Sequence, residues 1–118
     1  MMFQSCDLVM VPFPFSDLKS AKKRPVLVLT MPDHRGDFIG LAVTSISTVQ
    51  CALEIDIDAI TEGSLPKQSW LRLDKIFTLN IFRVIGVCAR VKPAFRFFVL
   101  QQLCANLHYD GQSLRREP

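Results

Sequence analysis

Basic side chains are concentrated in two segments of this sequence, and both could bind phosphate groups. The first segment contains Lys19, Lys22, Lys23 and Arg24. The second covers residues 67–96, where Lys or Arg occurs at seven positions and Asp74 is the only acid. Clustered cations attract anions such as nucleic-acid backbones, so the two segments could fold into one phosphate-binding patch. They could equally form ordinary solvated surface, and charge alone leaves both interpretations open.

One arginine and one aspartate in these segments suit phosphate and proton chemistry. The guanidinium of Arg24, restricted by the following Pro25, can contact two phosphate oxygens at once. An arginine side chain carries its positive charge at neutral pH, so it suits charge stabilisation better than proton transfer. Asp74 is a candidate general base, and its neighbours Arg72 and Lys75 favour its charged, weakly basic form. The alternative is that Asp74 only forms an ion pair with Arg72 or Arg24.

The sequence contains no pattern typical of a metal or cofactor site. Its cysteines are Cys6, Cys51, Cys88 and Cys104. They are far apart and form no C-x-x-C pair, so we expect small thiols that are buried or half-buried. The two histidines, His34 and His108, fall in a turn and at a helix end, which gives a two-histidine mechanism little support, and we expect His34 to be exposed. No glycine-rich phosphate loop is present, so we expect neither a metal nor a cofactor.

Hydrophobic periodicity predicts six short strands followed by one helix. The predicted strands are 7–13, 25–31, 38–45, 53–57, 69–76 and 82–91. After Pro93 the apolar spacing becomes helical and predicts a helix over about 93–109. The polar, cationic residues 15–23 are expected to form an exposed loop. Since 118 residues support one core, the closely spaced strands favour a small, strongly bent β-barrel in a single domain.

Some side chains in these elements have more specific expectations. Leu53, Ile55 and Ile57 alternate with acidic residues and predict one buried strand face. Gly86 suggests a bend or bulge in the last strand. Trp70 could stack an unpaired base, but core packing is the expectation we prefer. The apolar stripe of the helix, which is expected to pack against the core or a second subunit, consists of Phe95, Phe98, Val99, Leu103 and Leu107.

Three segments resemble the MazF/PemK toxin family, in the order in which that family has them. The first is DLVMVPFPFSD from residue 7, continued by KKRPVLVL at 22–29. The second is LAVTS at 41–45, and the third, which is the most specific, is LPKQSWLRLDKIFTL at 65–79. Together they cover most of residues 7–80. The chain departs from the family where Cys6 replaces a usual glycine and where Ile46 replaces a frequent glutamine.

This resemblance implies a mainly β, SH3-like barrel of the CcdB/MazF type with a C-terminal α-helix, as one toxin domain over residues 1–118. It implies a type II toxin that cleaves single-stranded mRNA without a metal, by attack of the ribose 2′-hydroxyl. The family's catalytic positions fall on Arg24, Thr44, Arg72 and Asp74. RNA binding is expected at Lys19, Lys22, Lys23, Ser45 and Lys75. The implied partners are single-stranded RNA, an acidic antitoxin and a second copy of the chain, with operator DNA bound only through the antitoxin complex.

Two other functions remain open at this point. Toxins of the CcdB type share the architecture but bind DNA gyrase, largely through C-terminal residues, whereas the matches here lie in the segments that carry the ribonuclease site. An inactive relative that only binds antitoxin or nucleic acid is the other alternative. The N-terminus has no signal-like pattern, and no stretch approaches the ~20 apolar residues of a membrane span, so we expect a cytoplasmic protein.

Overall fold

The structure is a computed structural model that describes residues 3–14, 21–47 and 51–107. The strands are β1 (Asp7–Pro14), β2 (Ala21–Val28), β3 (Asp37–Thr44), β4 (Ala52–Ile55), β5 (Ile60–Gly63), β6 (Ser69–Asn80) and β7 (Gly86–Val91). Two 3₁₀ turns, Ile57–Ala59 and Ile81–Arg83, precede β5 and β7, and helix α1 covers Pro93–Asn106. The prediction of a mainly β, small SH3-like barrel with a C-terminal helix is confirmed, and the strands form a curled antiparallel half-barrel.

All seven strands belong to one antiparallel sheet in the order β4-β6-β3-β2-β1-β7-β5. Strand β1 pairs with its sequence neighbour β2 on one side and with the distant β7 on the other, where Asp7 lies opposite Arg90. Strand β6 pairs with both β3 and β4. The order therefore places the first half of β2, the end of β3 and the start of β6 side by side, which is where the candidate site lies.

The central strands are buried on both faces, because an apolar cluster packs on each face of the sheet. Leu8 and Leu27 belong to a cluster that also contains Val99 of α1. Their sequence neighbours Val9 and Val26 belong to the second cluster, on the other face. Strands that are buried on both faces are continuously apolar rather than alternating. This explains why β1 and β2 stand out in the sequence as the runs LVMV and VLVL.

Helix α1 packs against the sheet through part of its apolar stripe. Val99 and Leu103 are buried, which confirms core packing for these two positions. Phe98 and Leu107 are exposed instead, and the helix ends at Asn106, before the predicted residue 109. No helix in the three described ranges has the length and apolar character needed to cross a membrane.

Two predicted strand boundaries in the first half of the chain are wrong. Residues 21–23 were expected in a loop, but they pair with the end of β1 and extend the β1–β2 hairpin. Ile57 was expected on a buried strand face, yet it is 81% exposed. The reason is that the Asp56 carboxylate accepts a hydrogen bond from the Asp58 backbone N–H and starts a 3₁₀ turn there. This cap ends the strand at Ile55.

The second half of the chain differs from the prediction in three places. Strand β5 was not predicted, and Phe82 lies in a 3₁₀ turn rather than a strand. The Asn80 side chain accepts a bond from the Phe82 N–H at 3.0 Å and so starts that turn. Gly86 simply begins β7. The irregularity lies at Cys88, since Leu8 pairs with Ala89 while the next residue of β1 pairs with Val87.

The cysteines are only partly placed as expected. All four are free thiols; Cys6 is buried and Cys88 half-buried, but Cys51 and Cys104 are exposed. Cys6 and Cys51 also have positive φ angles of 81° and 61°, in the left-handed region that favours glycine. At Cys6 this backbone conformation is one that a glycine would adopt without strain, in line with the glycine that the resemblance led us to expect at this position.

The left-handed backbone at Cys51 predicts a stabilising substitution. Cys51→Gly should raise the free energy of unfolding by about 0.5 kcal/mol, because relief of left-handed strain exceeds the added entropy of the unfolded chain. The Cys51 thiol donates only a weak, exposed bond to Asn106 Oδ1, so little is lost. Urea denaturation measures the change. Cys104→Gly, also exposed but inside α1, is the matched control and should lower stability by about 1 kcal/mol; a loss of stability in both variants would contradict the prediction.

Candidate active site

A pocket of about 150 Å³ lies where the first half of β2, the end of β3 and the start of β6 meet. Its cationic lining residues are Lys22, Lys23, Arg24 and Lys67. Its hydroxyl lining residues are Thr44, Ser45 and Ser69. Among the described residues that line it there is no carboxylate. The pocket therefore has a positive potential and hydrogen-bonding groups, the combination that binds a phosphate oxygen.

Strand pairing positions Arg24 at the pocket. Arg24 lies opposite Val11 of β1, and its side chain is half-buried. On the other side of β2, Val26 pairs with Ala42 of β3. Continuing this register by two residues along each strand leads to Arg24 and Thr44, and both line the pocket. The structure thus brings together the two residues that the sequence suggested most directly.

Thr44 presents a hydroxyl whose hydrogen can point at a ligand. It is the last residue of β3 and is 8% exposed. Its Oγ1 accepts a hydrogen bond from the Ile46 backbone N–H at 3.1 Å. A threonine hydroxyl has one donor hydrogen besides its acceptor lone pairs, and the bond to Ile46 uses only a lone pair. Thr44 is therefore oriented as a hydrogen-bond donor at the pocket.

Two pocket residues, Lys67 and Ser69, were missing from the predicted site. The Ser69 hydroxyl donates to the Lys67 backbone oxygen at 2.8 Å, which fixes the short segment that leads into β6. Since this bond uses the hydroxyl hydrogen, Ser69 keeps only acceptor capacity. The signal in the sequence was their position at the start of the segment LPKQSWLRLDKIFTL, but nothing in the pattern showed that β6 would begin beside the end of β3.

Arg72 and Asp74 form an ion pair on β6 and do not line the pocket. The Asp74 carboxylate accepts from Arg72 Nε at 2.9 Å and from Arg72 Nη2 at 2.8 Å. These hydrogen bonds lower the pKa of Asp74 and raise that of Arg72. Asp74 is therefore ionised at neutral pH and weakly basic, as expected from its neighbours, and it is engaged in the ion pair that was the alternative interpretation.

The remaining predicted RNA-binding residues divide into three groups. Lys22, Lys23 and Ser45 line the pocket. Lys75 is exposed on β6 but is not part of the pocket lining. Lys19 lies outside the described residues.

Trp70 does not lie in the core, so the expectation of core packing is wrong. It is half-buried and belongs to neither apolar cluster. Its neighbours along β6, Ser69 and Leu71, are the buried ones. The alternation of the strand therefore directs Trp70 to the less buried face, on which it lies opposite Thr44.

The arrangement can bind and polarise an anion, but its described lining supplies no proton acceptor that works at neutral pH. Carboxylates and imidazoles are the side chains that usually accept protons near neutral pH, and neither type is among the described residues that line the pocket. His34 is exposed, as predicted, and does not line the pocket. In the part of the chain that the structure describes, no group of three or more His, Cys, Asp or Glu side chains could hold a metal ion.

Comparisons with known proteins identify a family whose model matches this chain and solved structures that have a similar fold. The model of the PemK-like, MazF-like toxins of type II toxin–antitoxin systems matches residues 4–107. The crystal structure of MazE-MazF (Form-III) from Deinococcus radiodurans is similar with a TM-score of 0.71 at 17% identity, covering 91% of this chain and 97% of that one. An endoribonuclease in complex with its cognate antitoxin from a mycobacterial species has a TM-score of 0.62 at 14% identity, covering 98% and 100%. None of the curated proteins matches.

Proposed function

Because this chain belongs to the PemK-like, MazF-like toxins of type II toxin–antitoxin systems, a family of endoribonucleases, we propose that it cleaves single-stranded mRNA without a metal at the Arg24 pocket. The observation that carries this proposal is the pocket itself. Arg24 and Thr44 line it together with three lysines, and no described lining residue is a carboxylate. Such a site attracts a polyanion and favours extra negative charge on one of its phosphates.

The reaction is an attack of the ribose 2′-oxygen on the adjacent phosphorus. The new bond closes a 2′,3′-cyclic phosphate, the bond to the 5′-oxygen of the next nucleotide breaks, and that oxygen leaves as a hydroxyl. Arg24 contacts the non-bridging oxygens, where charge builds up in the transition state, and Thr44 donates a further hydrogen bond there. The pocket thus supplies charge stabilisation, which is the larger part of the task.

The proton of the 2′-hydroxyl needs an acceptor, and the departing 5′-oxygen takes up a proton from water. Of the predicted catalytic residues, only Asp74 can accept a proton at neutral pH, directly or through water. Its lowered pKa makes it a weak base, so it would contribute less than the charge stabilisation. Arg72 holds the Asp74 carboxylate, and in this proposal it positions that base.

The test is cleavage of single-stranded RNA in the presence of EDTA. Purified protein should cut a mixed-sequence RNA and leave a cyclic phosphate on one fragment and a 5′-hydroxyl on the other, because no metal-bound water takes part. Treating the products with polynucleotide kinase and labelled ATP detects the new 5′-hydroxyl ends without prior dephosphorylation. Cleavage that requires a divalent metal, or products with 5′-phosphates, would contradict the proposed chemistry.

The partners follow from the same proposal. A second copy of the chain would cover exposed apolar residues at the C-terminal helix, namely Phe97 and Phe98 of α1 and Leu107 just after it. An acidic antitoxin tail would compete with RNA for the cationic pocket, and operator DNA would be bound only through that complex. Because the substrate is mRNA, the site of action would be the cytoplasm. Light scattering at micromolar concentration should show a dimer, and a strictly monomeric protein would contradict this part.

A further inference from the structure

We propose that Trp70 is the platform on which an unpaired RNA base stacks, beside the phosphate bound by Arg24 and Thr44. This inference rests on the proposed function, since it names a residue that binds the same substrate. Strand alternation is its first support. Along β6 the buried residues are Ser69, Leu71 and Leu73, whereas Trp70 between them is half-buried. The indole therefore lies on the face opposite to that of Leu71, and it belongs to neither apolar cluster.

The register of the sheet places this indole next to the pocket. Trp70 lies opposite Thr44 of β3, and opposite residues of an antiparallel pair point to the same face with Cβ atoms about 5 Å apart. Val26 of β2 pairs with Ala42 of β3, and continuing this register by two residues along each strand leads to Arg24 and Thr44. Arg24, Thr44 and Trp70 therefore lie on three adjacent strands: Arg24 and Thr44 line one pocket, and Trp70 lies opposite Thr44. A nucleotide whose phosphate binds in the pocket could place its own base or a neighbouring base on Trp70.

The surroundings of Trp70 are polar, and their polar groups are engaged with one another. On its other side Trp70 lies opposite Glu54 of β4, whose carboxylate accepts a hydrogen bond from Gln68. Two residues along the strand, Arg72 is held by Asp74. A large apolar ring framed by such groups is poorly placed for core packing. It is well placed for the face of a nucleobase, which stacks on aromatic rings irrespective of its hydrogen-bonding pattern.

The chain contains a single tryptophan, so its intrinsic fluorescence reports on this site alone. The probe is a short oligothymidylate, which lacks the 2′-hydroxyl and cannot be cleaved by the proposed reaction. Titration should quench the emission of Trp70, because a stacked base is in direct contact with the indole. An abasic oligonucleotide of the same length and charge is the matched control. It should bind through its phosphates and leave the emission nearly unchanged.

Variants separate stacking from a structural role of the ring. Trp70→Leu should weaken binding of the labelled oligothymidylate about tenfold, measured by anisotropy, and leave binding of the abasic oligonucleotide unchanged. Trp70→Phe keeps an aromatic face and should lose less affinity than the leucine variant. Circular dichroism melting identifies any variant that is not folded. If Trp70→Leu fails to fold, the anisotropy comparison is made with Trp70→Phe instead: a lower affinity than wild type for oligothymidylate, but not for the abasic oligonucleotide, supports the stacking role, and unchanged affinity for both overturns it.

The outcomes distinguish this inference from the proposed function. Equal quenching by both probes, or equal affinity of wild type and Trp70→Leu for oligothymidylate, overturns the stacking role even if the wild type cleaves RNA. Base-dependent quenching supports it even if no RNA is cleaved in EDTA, in which case the nuclease proposal fails and a base-stacking nucleic-acid site remains.

Discussion

Arg24→Ala is expected to lower kcat/KM for RNA cleavage about 10³-fold, the loss typical of removing one transition-state charge contact. The fold should survive, because Arg24 is half-buried at the pocket and belongs to neither apolar cluster. A fixed guanidinium stabilises the charge on the phosphate oxygens more in the transition state than in the bound substrate, so kcat should fall more than KM rises. Single-turnover rates on a defined RNA, with circular dichroism of the variant, measure both effects.

Two further arginine variants make this prediction specific. Arg24→Lys keeps the positive charge but loses the planar fork, so it should recover only part of the activity. Arg35→Ala removes an exposed arginine in the turn before β3 that does not line the pocket, and it should cleave normally. If Arg24→Ala cuts RNA at the wild-type rate, or if Arg35→Ala is equally impaired, Arg24 is not the residue that stabilises the transition-state charge.

Thr44→Val should reveal whether the hydroxyl acts on the same phosphate. The substitution keeps the β-branched shape and removes the hydroxyl, which is both the donor to the phosphate and the acceptor of the Ile46 N–H, and the expected loss in rate is about tenfold. In the double variant with Arg24→Ala, the two losses should not add, because groups that act on one transition-state charge are coupled. Additive losses would place Thr44 outside the interaction made by Arg24.

Asp7→Ala is expected to lower the free energy of unfolding by about 3 kcal/mol. The corresponding fall in Tm is on the order of 10 °C. Asp7 is 1% exposed, and its Oδ1 lies 3.0 Å from Arg90 Nη2. The geometry does not satisfy a hydrogen bond, so this contact is best described as an ion pair. The other carboxylate oxygen accepts from the Gln4 backbone N–H at 2.9 Å. The substitution therefore removes a buried partner from both a guanidinium and a backbone donor.

The same arginine provides the control for this prediction. Arg90 also contacts Glu62, at 3.3 Å, but the Glu62 side chain is 72% exposed. Solvent screens exposed pairs, so Glu62→Ala should cost less than about 1 kcal/mol. Urea denaturation of the two variants compares the stability lost when Arg90 loses its buried partner, Asp7, with the stability lost when it loses its exposed partner, Glu62. Equal losses in both variants would show that the burial of Asp7 does not decide its contribution.

Much of the fold could be predicted because local patterns in the sequence have one main structural solution. The apolar runs at the start of β1 and β2 fit central strands that are buried on both faces. The change in the spacing of apolar residues after Pro93 predicted the helix. The resemblance of three segments predicted Arg24 and Thr44, and the strand register explains why these two residues, 20 positions apart in the sequence, line one pocket.

The errors came from interactions that a pattern of apolar residues does not contain. The Asp56 cap ended a strand and exposed Ile57. The start of β6 beside the end of β3 brought Ser69 into the pocket, although these segments are distant in the chain. Trp70 was expected in the core because a lone tryptophan at the start of a strand usually packs there, whereas the alternation of β6 places it on the face opposite to that of Leu71. Such features depend on pairing partners, which only the folded chain provides.

The pairing of β1 with β7 has a consequence for synthesis of the protein. Arg90, the ion-pair partner of Asp7, is translated 83 residues after it, and the β1–β7 ladder closes only then. Because domains gain their stability from such non-local contacts late in folding, a nascent or truncated chain that ends before β7 cannot complete the sheet. Completion of the sheet during synthesis therefore depends on translation of β7, Gly86–Val91.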